Sequence, residues 1–143
     1  MSLDALRKLR SRTEEVLTME LARATQALIG MEQRHDAVDA QIQSEASAYR
    51  IEAERGLVIE AMLEWQGRLD SYQAALRQAR GAIDRLTEEW NRARVRLIEA
   101  TQERKALDRF IERQREAQRA ELRRREQQVT DEAAGRCFVL RPS

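Results

Sequence analysis

Proline is almost missing from this 143-residue chain, Pro142 being the only one, and aromatic residues make up 4%. With no ring to remove an amide or clash with the preceding turn, nothing before Pro142 is barred from helix. The five glycines, at 30, 56, 67, 81 and 135, stand alone, so there is no phosphate-cradling glycine loop. A single cysteine, Cys137, excludes an internal disulfide and suits a reducing cytosol. No apolar run approaches the roughly 20 residues that span a bilayer, and the first ten residues lack a signal-peptide core. A cytosolic chain with no direct membrane insertion is expected. Charge of one sign is also lacking: 26 basic and 25 acidic residues leave +1, too little for a bulk field that gathers nucleic acid or anionic lipid.

What is present is helix-forming composition, 36% of it charged, and a 4-3 apolar repeat. The repeat runs Val58, Met62, Trp65, Leu69, Tyr72, Leu76, Ala79, Ile83, Leu86, Trp90, Ala93, Leu97, Ala100, Arg104, Leu107 and Ile111. Only Arg104 breaks its character. Such a stripe is too narrow for a globular core and the right width for a coiled-coil partner.

A helix beginning at Ser2 or Asp4 supplies a second stripe, because either side chain caps free amides. Leu3, Leu6, Leu9, Thr13 and Val16 open it. After a one-residue slip, Leu17, Leu21, Ala24, Leu28, Met31, His35, Val38, Ile42, Glu45 and Tyr49 continue it. The connection is expected within 43–57, where the stripe weakens and Gly56 tolerates unusual backbone angles, although Ala46, Ala48, Glu52, Ala53 and Glu54 could carry the helix further. An arm of residues 3–52 spans roughly 75 Å at about 1.5 Å per residue. Folded back, it would pair with 58–107, close to where the second seam expires.

The expected fold is therefore all-α: a long antiparallel two-helix coiled-coil hairpin with an overhanging C-terminal helix, in one domain. Its parts are a first arm at about 3–50, a second at about 58–111, an overhang at 112–133 and a tail at 134–143. In the overhang apolar residues nearly vanish, while pairs such as Glu116 with Arg119 and Glu121 with Arg125 favour helix by about 0.2–0.5 kcal/mol each. Gly135 is expected to end it. A partner would order this segment.

Isolated reactive residues read as structural. His35 lies on the first stripe and lacks the companions that zinc needs, so no metal or other cofactor is expected. Cys137 has no nearby histidine and no second cysteine. Adjacent carboxylates, as in Glu14-Glu15 and Glu88-Glu89, lack the low-dielectric cleft that separates an acid from a base. The chain is not expected to be an enzyme. Glutamates interleave Arg113, Arg115, Arg119 and Arg123 to Arg125, so residues 112–129 carry only +2, a weak phosphate footprint. Trp65, Tyr72 and Trp90 either pack in the seam or turn outward as anchors for a partner.

The placement of the repeats and the ending Arg124-Arg-Glu-Gln-Gln-Val-Thr-Asp-Glu-Ala-Ala resemble the FliJ family, with its YscO-type counterparts, the stalk proteins of flagellar export and type III secretion. The resemblance covers nearly the whole chain. It implies a central stalk whose joined termini insert into a hexameric export ATPase and whose hairpin reaches an export gate protein, with secretion chaperones as further partners. A monomer is expected because the two stripes can pack on each other within one chain. For the gate it implies Val38, Ile42, Glu45 and Tyr49 on one arm, and Tyr72, Leu76, Ala79 and Ile83 on the other. Glu45 stands where the family has an aromatic residue, and Ile83 where it has a polar one. These positions also lie on the stripes expected to be covered. For the ATPase the candidates are Arg113, Arg119, Arg123, Arg124, Arg125, Asp131 and Glu132. The alternatives are a generic coiled-coil scaffold or chaperone-like adaptor, and a nucleic-acid-binding helix.

Overall fold

The computed structural model describes residues 2–140, with side chains described for residues 2–137. Among the described residues there are two α-helices, α1 (Leu3–Arg55) and α2 (Ile59–Leu140), and they pack against each other. Ser2 caps α1: its Oγ accepts the amide of Ala5 at 3.2 Å, satisfying one of the donors left free at a helix start. The predicted helix formers carry α1 through 43–55. The break falls at 56–58, where Gly56 adopts φ 98° and its amide donates to the carbonyl of Ala53 at 3.2 Å. A side chain there would meet no neighbour, so glycine is needed for its backbone conformation and not for space. The carbonyl of Val58 then accepts the amides of Ala61 and Met62, opening α2.

The chain divides into two compact units, Glu14–Glu99 and a second made of Met1–Thr13 with Ala100–Ser143. In the first, Tyr49 meets Trp65, Glu45 meets Tyr72, and Thr25 meets Trp90. In the second, Arg7 meets Asp108 and Arg10 meets Glu103. In both, numbers fall along one helix as they rise along the other, so within each unit the helices run in opposite directions.

The α2 seam expected from the repeat is covered from Trp65 to Ile111: Trp65, Ala79, Ala93, Ala100 and Ile111 are buried, and the intervening 4-3 positions are half-buried. Its start is different. Val58 and Met62 are exposed, 67% and 38%, because the last half-buried residue of α1 is Tyr49 and no apolar turn lies opposite them. Ala61 takes the covered position instead.

The slip in the first stripe is also relocated. The covered register runs back without a break from Tyr49 through Leu17 and Glu14 to Arg10, leaving Leu9, Thr13 and Val16 exposed. Phase changes between Arg10 and Leu6. Along this stretch Arg7 pairs with Asp108 and Arg10 with Glu103, while Leu6 is half-buried and Arg7 exposed. At the far end, α2 continues through Gly135 to Leu140 rather than stopping. A helical glycine costs only about 1 kcal/mol relative to alanine, and Ala133 and Ala134 precede it.

Candidate partner-binding surfaces

The gate candidates converge on one stretch of seam. Val38, Ile42, Glu45, Tyr49, Tyr72, Leu76 and Ile83 are half-buried and Ala79 is buried, so the two arms cover one another's sets. Two contacts tie this stretch. The ring of Tyr49 stacks on Trp65 with centroids 5.5 Å apart and planes inclined by 21°. The hydroxyl of Tyr72 donates to Glu45 Oε1 at 2.9 Å, to which Gln41 Nε2 also donates at 3.1 Å. Glu45 Oε2 is shielded from water and has no hydrogen-bond donor; Arg68 Nε stands 4.0 Å from it. Donation by Gln41, then by Tyr72, holds the Glu45 carboxyl below the ordinary carboxylate range, with a smaller contribution from Arg68. The same bond to Glu45 pushes the Tyr72 phenol above its ordinary value.

Farther along the same unit, Trp90 Nε1 donates to Thr25 Oγ1 at 2.9 Å, and the Thr25 hydroxyl donates in turn to the carbonyl of Leu21 at 2.8 Å. The guanidinium of Arg94 lies 5.9 Å from the centre of the Trp90 ring. All three large aromatics of the α2 stripe thus serve the seam. Thr25 and Gln41 escaped the sequence reading, since each lies one residue outside the 4-3 register. Their signal is a polar side chain beside a position facing Trp90 or Tyr72.

The ATPase candidates lie on a different surface. From 112 to 137 every described side chain is exposed except the half-buried Glu121. Arg119 bridges Glu112 at 3.0 Å, and Arg124 and Arg125 share Glu121 at 2.8 and 3.3 Å. Arg124 draws the Glu121 carboxyl below the ordinary range and is itself held more firmly protonated. Asp131 accepts from Gln127 at 3.0 Å. Arg113, Arg123 and Glu132 are exposed.

His35 Nδ1 lies 3.3 Å from Asp36, and no group of three metal-ligating side chains occurs among the described residues. Nor is any helix long and apolar enough to cross a membrane among them.

Two α-helices packed against each other define an all-helical protein. The sequence matches the family model described as "Flagellar FliJ protein" over residues 1–143. The chain belongs to the FliJ family, structural components of the flagellar export apparatus. No curated protein and no solved structure matches it.

Proposed function

We propose that this chain is the central stalk of a flagellar or type III export apparatus, lying at the cytoplasmic face of the inner membrane. It inserts into the hexameric export ATPase and couples it to the membrane export gate. The supporting observation is the inequality of the helices, 53 residues in α1 against 82 in α2, with the side chains of 112–137 exposed almost throughout. In this reading the two helices form an antiparallel coiled-coil hairpin, and residues 112–133 are its overhang. A helix with almost no covered face contributes little to folding, so its persistent charge pairing is explained by use. Arg113, Arg119, Arg123, Arg124, Arg125, Asp131 and Glu132 would make many weak, exchangeable contacts with ring subunits, since tight contacts would stop a shaft from cycling.

The gate set would act through accessible edges. Seven of its eight side chains are half-buried, so a partner can touch Val38, Ile42, Tyr49, Leu76 or Ile83 without parting the helices. Deleting residues 112–143 tests the stalk reading. The truncated chain should melt close to the intact one yet bind the ATPase weakly and stimulate it less. Binding by the intact chain should fall as salt rises. Equal ATPase binding by the truncated chain would sink the reading.

A further inference from the structure

Between α1 and α2, inside the Glu14–Glu99 unit, lies an open groove of about 710 Å³. Met31, Val38, Ala75, Ala79 and Ala82 make an apolar floor, low on the α2 side because its residues there are alanine and Gly81. The charged residues of the wall are Arg34, Arg77 and Arg85, and no carboxylate lines it. Among the described residues, no ion pair or hydrogen bond holds any of the three arginines. What sets this groove apart is its lining, three arginines with no carboxylate among them. A neighbouring groove of the same unit sets Glu20 and Glu89 among Arg23, Arg92 and Arg96, so its cations have acids at hand.

We propose that this groove docks an acidic amphipathic helix of a partner protein. Arg77 and Arg85 are eight residues apart on α2, a little over two turns and about 12 Å along its axis. A helix laid along the groove presents carboxylates at the same interval while its apolar stripe meets the alanine floor. Arg34 clasps it from α1. Small residues on the floor let the incoming backbone approach closely, and desolvation by the apolar contacts strengthens each arginine–carboxylate pair. A polyphosphate would use the arginines and leave the floor empty. Because Val38 and Ala79 belong to the gate set, the inference rests on and deepens the gate reading: the gate's docking segment is apolar on one side and acidic along its flanks.

The test uses the full chain and a labelled, designed peptide helix with a leucine stripe flanked by glutamates, followed by fluorescence anisotropy. Saturable binding is expected, weakened at least ten-fold by Arg34→Gln/Arg77→Gln/Arg85→Gln. A control of equal charge change, Arg12→Gln/Arg50→Gln/Arg55→Gln, should bind like the parent. Gly81→Leu blocks the floor, yet its first added carbon meets only the mobile tip of Arg85 at 3.8 Å; it should abolish binding without lowering the melting temperature. Equal binding by the arginine variant, or by a peptide with lysines in place of the glutamates, overturns the proposal. An oligonucleotide that binds the groove more tightly than the peptide overturns it in favour of a phosphate surface. Capture of the gate's cytoplasmic domain is measured in parallel. Peptide binding without gate capture keeps the acidic-helix site and removes the gate as its occupant. Gate capture that survives the arginine and Gly81 variants, with no peptide binding, removes the site and keeps the gate reading.

Discussion

Tyr72 and Glu45 show how a single polar pair can tune an otherwise apolar seam. The carboxylate is shielded at Oε2 and accepts donors at Oε1, so it is held deprotonated in the folded chain. Its pKa is lower folded than unfolded, hence the stabilisation is complete above the ordinary carboxylate range and is lost as pH falls through the folded value. For Tyr72 the sign reverses: its raised phenol contributes below the ordinary tyrosine range and loses that contribution as pH rises through the folded value. Tyr72→Phe should therefore lower the melting temperature near neutrality. The difference from the parent should shrink once Glu45 is protonated, and Glu45→Gln should blunt the acid dependence. Melting curves across pH check this; an unchanged gap between parent and Tyr72→Phe at acid pH would contradict it.

At the scale of the element, α2 changes character along its length. Leu86 is half-buried against α1, whereas Glu121 sits on a stretch whose neighbours are exposed. Leu86→Ala should cost about 2 kcal/mol, the lower end of the range for a core leucine, because a two-helix seam encloses it on one side only. Glu121→Ala removes the acceptor of Arg124 and Arg125 but no covered contact, so global melting should hardly move. Denaturant titrations of the two variants decide it, and equal losses would mean that both stretches belong to one cooperative seam. The helical type of both elements, and the seam from Trp65 to Ile111, were legible because the 4-3 repeat coincides with what α1 can cover. The phase change near Arg10 was not legible, because apolar periodicity takes no account of a polar residue such as Arg10 holding a covered position. Gly135 misled for a related reason: a glycine can stop a helix, but good helix formers around it make continuation cheap.

For the molecule as a whole, five side chains count as buried among the described residues and none is fully enclosed. Within each unit apolar cover comes only from the facing helix, so neither helix has much reason to stay helical without the other. With Cys137 replaced by serine, Leu28→Cys/Leu86→Cys should form a disulfide within single chains, and neighbouring pairs should trace the same antiparallel register. Non-reducing electrophoresis and mass measurement distinguish this from a cross-linked dimer. Exclusive cross-linking between chains would transfer the seam to a dimer and favour a scaffold.

The sequence by itself determined two long helical stretches joined by a connection within 43–57, and an apolar repeat that ends at Ile111, because backbone propensity and 4-3 spacing are local properties. It also carried enough of the FliJ pattern for the family to be named. Only the packing of α1 on α2 decided that Glu45, an apparent defect in the first stripe, is matched by Tyr72 and Gln41, and that Trp90 finds Thr25. The same packing leaves Arg34, Arg77 and Arg85 around an alanine floor with no acid among them. Those facts depend on which turn of one helix faces which turn of the other. That register is set by long-range pairing of side chains scores of residues apart, which no local pattern records.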